Sequence, residues 1–175
     1  EKRLGAWEAL NDAKAKGLIK AIGISTHNID VTDEISTQKE CDVVFPLINY
    51  AGLGIRKGSE AGDAQEMLSA IEKCKTAGKG IYAMKVFGGG NLTVNYQKAL
   101  DFICSKNCID SIMIGFGSCS DIDDIISYME GTMAPDYNPD VSKKKIIVEE
   151  SNCEGCGTCM KMCQSNALYF NERGL

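Results

Sequence analysis

Several things are scarce in this sequence, and each scarcity excludes something. No apolar run approaches the ~18 residues of a membrane-spanning helix, and no charged-then-apolar leader opens the chain. Neither a membrane span nor export is expected, and the reading is cytoplasmic. Basic runs are equally scarce: the longest is Lys143–Lys145, and 19 basic against 24 acidic residues leave a formal charge of −5. The electrostatic footprint of a nucleic-acid binder is missing. There is a single histidine, His27, and only 3 prolines, two of them between residues 131 and 145. What is plentiful is apolar surface, 44% of residues against 25% charged, the balance of an ordered globular chain. The chain opens on a helical pattern without an initiating Met, so the natural protein is expected to start earlier.

Apolar runs alternate with amphipathic stretches from the start to about residue 130. Leu4, Trp7, Leu10 and Ala13 have helical spacing and stop at Gly17. Runs at 18–24, 42–48, 80–86 and 110–115 read as buried strands, and patterns at 30–40, 63–77, 95–106 and 121–130 read as helices. Within 63–77, Met67, Leu68, Ile71 and Cys74 share one face. Four strand–helix units in series predict an α/β class with parallel strands and right-handed crossovers. Periodicity leaves half a barrel and a small open sheet equally open, and 175 residues are too few for a complete eight-unit barrel of about 250. The Pro- and Lys-containing stretch 131–145 reads as a linker, which divides the chain into an α/β domain at 1–130 and a small segment at 146–175.

Nine cysteines divide unevenly, with four gathered as Cys153-x-x-Cys156-x-x-Cys159-x-x-x-Cys163. This spacing matches the bacterial ferredoxin signature, in which thiolates on a tight loop hold a 4Fe-4S cluster. Gly155 and Gly157 suit a loop that must turn sharply and offer backbone N–H groups to sulfur. Ile146–Val148 and Ala167–Phe170 read as two short strands of a half-ferredoxin unit. Gln164 stands where proline usually follows the fourth cysteine. In two-cluster ferredoxins that fourth cysteine ligates the other cluster, so the segment is expected to continue past Leu175; otherwise Cys163 or another cysteine completes a lone cube. A structural zinc site is the alternative for four thiolates. Cys41, Cys74, Cys104, Cys108 and Cys119 are scattered singly and read as small hydrophobes, Cys74 and Cys104 on apolar helix faces and the other three near strand ends.

The strand ends carry a resemblance. Gly17-Leu-Ile-Lys20-Ala-Ile-Gly23-Ile-Ser25-Thr-His27-Asn28 resembles the fifth strand of aldo/keto reductases, and Pro46-Leu-Ile-Asn49-Tyr50 resembles the sixth. Gly80 to Gly90 resembles the seventh and Ser111 to Ser118 the eighth. With the cysteine segment attached, the chain resembles the iron–sulfur-containing branch of that family. The resemblance implies a half barrel, four consecutive strand–helix units of a TIM (β/α)8 barrel, followed by a ferredoxin-like segment. It implies a nicotinamide cofactor, with Ser25 at the carboxamide, His27 and Asn49 at the pocket, Gly88, Gly89 and Gly90 at the pyrophosphate, and Gly115, Gly117 and Ser118 at the adenosine phosphate region. Met84 stands in place of the stacking aromatic. Phe116, Asp121 and Asp123 replace the basic residues that would hold a 2′-phosphate, so NAD is favoured over NADP.

By the same resemblance the proton-donating tyrosine and its partners lie on strands before Glu1, and no catalytic residue is assigned within the chain. The expected function is therefore that of a portion of an oxidoreductase: hydride transfer between nicotinamide and a small carbonyl or alcohol, with electron exchange through the cluster. The expected partners are a redox protein and the missing N-terminal half, and the chain alone is expected to be inactive. Rival readings are an electron-transfer module on a non-catalytic α/β scaffold and a structural zinc protein.

Overall fold

The computed structural model describes residues 4–139, 155–163 and 167–169. Its first helix, α1 (Leu4–Ala15), ends where Gly17 adopts φ +71° and Leu18 N–H donates to the Ala13 carbonyl. Strand β1 (Gly23–Thr26) follows and leads into α2 (Ile29–Ile35), which Asn28 caps by accepting from the Asp30 and Val31 amides. Strand β2 (Val43–Pro46) precedes a small hairpin of β3 (Arg56–Lys57) and β4 (Glu60–Ala61). Next come α3 (Ala64–Thr76), capped by Asp63, then β5 (Gly80–Ala83) and α4 (Tyr96–Cys104). Strand β6 (Ser111–Ile112) and α5 (Cys119–Met129) close the series.

The sheet runs β1-β2-β5-β6, every neighbouring pair parallel. Four parallel strands alternating with helices make the α/β class and the partial TIM barrel of the sequence reading. The register sets two faces. Val44, Pro46, Ile81 and Ala83 are buried on one, where α3 contributes Met67 and Ile71 and α4 contributes Leu100 and Ile103 to the same core. Ser25, Phe45, Tyr82 and Ser111 stand in one row on the other, with the Phe45 and Tyr82 rings stacked at 4.1 Å. The sequence pattern of α3 holds residue by residue, since Met67, Leu68, Ile71 and Cys74 are all buried.

Strand and helix limits differ from the expected ones. The first strand begins at Gly23, not at residue 18, because Leu18 is 76% exposed in the link leaving α1. Ser25 and Thr26 therefore lie inside the strand and not in the loop beyond it. The other strands shorten from 42–48, 80–86 and 110–115 to the paired residues above, and the second helix stops at Ile35. Two cysteines also move: Cys104 is exposed, and Cys119 opens α5 on the surface.

Residues 131–139, read as linker, stay with the α/β part. Met133 and Tyr137 pack on its core, the Tyr137 ring meets Tyr96 edge-on at 5.6 Å, and the compact unit ends at Pro139. A second unit begins at Asp140. Its described part holds α6 (Thr158–Met162), which follows Gly157 at φ +69°. The strand expected at 146–148 lies outside the described residues, as does Phe170 of the one expected at 167–170; residues 167–169 of the latter are described and form no strand. Among the described residues no helix is long and apolar enough to cross a membrane.

Candidate functional site

The sequence-predicted residues of the α/β unit gather along the C-terminal ends of the strands, the end where barrel sites are built. Ser25 lines a hollow of about 490 Å³ with Gly23, Val43, Phe45 and Tyr82 on the face away from the helices. His27, two residues on, is exposed, and its carbonyl accepts the Arg56 N–H at 2.9 Å. That bond belongs to the hairpin, which the sequence reading missed. Asn28 Nδ2 donates to the Gly58 carbonyl at 3.0 Å and Gly58 N–H to Asp30 Oδ2 at 2.8 Å, so the hairpin is fastened over the loop after β1. The signal was Gly58-Ser59 between charged residues, with Gly58 at φ +56° in the turn.

Asn49 sits deeper than a cofactor contact requires. It is fully buried, donating through Nδ2 to the carbonyls of Leu53 at 3.0 Å and Lys85 at 3.3 Å while Oδ1 accepts the Leu53 N–H at 2.9 Å. The side chain thus holds the loops after β2 and β5 together. Met84, half-buried, bridges to Leu47. Gly88, Gly89 and Gly90 form a single turn with φ of +57°, +70° and +98°. A Cβ on Gly88 would stand 3.0 Å from Leu92 Cγ, while Gly89 and Gly90 open onto free space where a ligand's phosphates can reach the backbone.

The loop after β6 is less open to an anion. Asp121 Oδ2 accepts the Gly117 N–H at 2.8 Å, Ser118 Oγ lies 3.1 Å from Asp121 Oδ1, and Ser118 caps α5 by accepting the Asp121 N–H. Gly115 has nothing within 4 Å of a built Cβ. A carboxylate therefore occupies two of the three positions expected at a phosphate, Gly117 and Ser118. A larger hollow of about 670 Å³ lies against α4, between Tyr50, Lys98 and Tyr137, and takes in none of the predicted residues.

In the second unit, Cys156 and Cys159 are exposed and Cys163 half-buried, while Cys153 lies outside the described residues. Gly155 and Gly157, at φ +65° and +69°, bend the loop as expected. Thr158 beside Cys156, first through its hydroxyl and then through its amide, holds the Cys156 thiol below its ordinary value. Ala167 N–H donates to Cys163 Sγ at 3.3 Å. Among the described residues no group of three or more His, Cys, Asp or Glu is gathered tightly enough to hold a single ion. Thiol donors on a glycine-bent loop with N–H and O–H groups at the sulfurs fit a 4Fe-4S cluster. Burial pushes the Cys74 thiol up to about 11 and raises Cys41, Cys104 and Cys108 as well, which keeps these four protonated and chemically quiet.

Comparison with known proteins divides the chain in the same way. Residues 2–137 match the aldo/keto reductase family and residues 146–169 match the 4Fe-4S binding domain. An uncharacterized polyferredoxin-like protein of Methanocaldococcus jannaschii is 37% identical over 43 residues, which are 25% of this chain and 26% of that protein. The chain thus spans about a quarter of the length of that curated relative.

Proposed function

The chain belongs to the aldo/keto reductase family, and we propose that the whole enzyme transfers hydride between a nicotinamide cofactor and a small carbonyl or alcohol, its iron–sulfur module exchanging single electrons with a redox partner. The observation that carries this reading is the line of predicted residues along the C-terminal strand ends, from Ser25 to the turn at Gly88–Gly90. When bound, the nicotinamide supplies the hydride and the cluster the single electrons. Ser25, in the wall of the hollow, holds the carboxamide by hydrogen bonding and so fixes which ring face is presented. Gly89 and Gly90 let the pyrophosphate approach the main chain. Asp121 repels a 2′-phosphate but can accept from a ribose hydroxyl, which favours NAD over NADP.

Cys153, Cys156, Cys159 and Cys163 hold the 4Fe-4S cluster in this reading. The proton for a developing alkoxide, a contribution of about 10²–10⁴-fold, comes from a partner half and not from this chain. The occupied Gly117 amide favours a second reading, in which the α/β unit is a scaffold for an electron-transfer module and binds no nucleotide.

Anaerobic reconstitution with iron and sulfide should give the broad visible absorption of a cube, and Cys156→Ser should remove most of it. Tight stoichiometric zinc with no iron would sink the cluster assignment. Titration of the same protein with NADH and NADPH separates the remaining readings: NADH binding that weakens in Ser25→Ala supports the dehydrogenase, and no binding of either supports the scaffold. Carbonyl turnover by this chain alone would overturn the assignment of the acid to a partner half.

A further inference from the structure

Thr158 lies between two of the predicted ligands, and its side chain turns back onto the first. Cys156 Sγ and Thr158 Oγ1 are 3.4 Å apart. Gly157 sets this proximity, because its φ of +69° reverses the backbone between the two residues. A free thiol can donate to the hydroxyl, but a metal-bound thiolate carries no proton, so in the loaded protein the hydroxyl must be the donor. The contact at Cys163 differs in kind, since there the donor is the Ala167 main-chain N–H. At Cys156 the donor belongs to a side chain and can be deleted without touching the backbone.

We propose that the Thr158 hydroxyl, by hydrogen bonding to the Cys156 sulfur, raises the reduction potential of the 4Fe-4S cluster. Thr158 is a tuning residue and not a ligand, and its role rests on the reading of Cys156 as one. Reduction adds one electron to the cluster with its ligands unchanged, so the reduced form is more negative. A donor at sulfur stabilises that form more than the oxidised one.

The test uses the whole 175-residue chain, reconstituted anaerobically, with iron counted and the cluster titrated with dithionite under electron paramagnetic resonance. Thr158→Val keeps the shape and removes the hydroxyl; Thr158→Ser keeps the hydroxyl. At the wild-type midpoint, Thr158→Val should lower the ratio of reduced to oxidised cluster about tenfold, equivalent to about 59 mV for one electron. Thr158→Ser should stay within about threefold of wild type, about 30 mV on the same scale. A Thr158→Val midpoint equal to wild type at full iron content overturns the proposal while leaving the ligand assignment intact. If Thr158→Val does not hold iron, Thr158→Ala is titrated in its place. Retention of iron by the serine variant alone supports the hydroxyl's role, and loss from all three overturns it. A wild-type chain that takes up no cluster removes the ligand assignment itself.

Discussion

Lys85 is the one non-glycine residue with a left-handed backbone among the described residues, at φ +62°. A side chain in that region costs roughly 1–2 kcal/mol, and glycine there would return about 0.5–1 kcal/mol of that as extra unfolded-state entropy. Lys85→Gly should therefore stabilise the α/β unit by up to about 1 kcal/mol, read as a rise in the urea midpoint at constant slope. Two carboxylates give stability a pH dependence. Asp42 is held low by Lys14 and the Ile22 N–H, and Asp110 by Lys75 and the Ile81 N–H, each below the ordinary 3.8. A depressed folded value means that this contribution is complete above the unfolded value and drains away as pH falls through the folded one. The acid limb of a far-ultraviolet circular dichroism titration should lie below pH 3.8, and Asp42→Asn with Asp110→Asn should flatten it. Residue types and spacings were legible in the sequence; partners were not. Nothing local to Asn49 tells that its amide reaches Lys85, 36 positions away, and nothing in the Gly117 loop tells that Asp121 turns back onto it.

At the scale of elements, the pairing of β1 with β2 leaves no room for a side chain at Gly23. A Cβ on Gly23 would fall 2.2 Å from the Val43 carbonyl oxygen, a backbone atom fixed by the ladder. Gly23→Ala should cost about 1–3 kcal/mol, measured by denaturant unfolding, whereas Gly78→Ala, with nothing near its Cβ, tests only the backbone. The outer helices behave differently from the inner ones. α3 and α4 bury residues along their length, but α1 and α5 bury none; Ile122, Ile126 and Met129 of α5 stay exposed, and β6 is an edge strand with no outer partner among the described residues. The chain should self-associate through such edges, and Ile126→Lys with Met129→Lys should reduce the mass seen by light scattering. Order and type of the elements could be read from the alternation of apolar runs. Their ends could not, because Leu18 to Ala21 and the residues of β1 share one continuous apolar pattern that only pairing with Val43 to Pro46 divides.

For the whole molecule, the division into two compact units has a thermodynamic reading. The unit ending at Pro139 has its own apolar core, centred on Val44, Ile71, Ile81 and Leu100, and among the described residues every member of that core lies within the unit itself. Removing iron with a chelator should abolish visible absorption yet leave the cooperative helical melt of the α/β unit in place. A single transition that shifts as iron is lost would contradict this. The fold class came through in the sequence because four strand–helix repeats are a long-range pattern, whereas the end of the first unit did not. Tyr137 lies in a proline-containing stretch that reads as a linker, yet its ring packs on Tyr96.

Asn49 makes two loops that are far apart in sequence into one mechanical part. Its carboxamide is tied to Leu53 on one side and to Lys85 on the other, in a fully buried position where water cannot substitute for either bond. The loop after β2 cannot lift without releasing the loop that leads to the glycine turn. Amide protons in the two loops should therefore exchange with solvent through a common opening event, at matched protection. In Asn49→Ala they should part company, each exchanging at its own rate, with the stretch from Lys85 to Gly90 the faster because its glycines leave it less to hold on to.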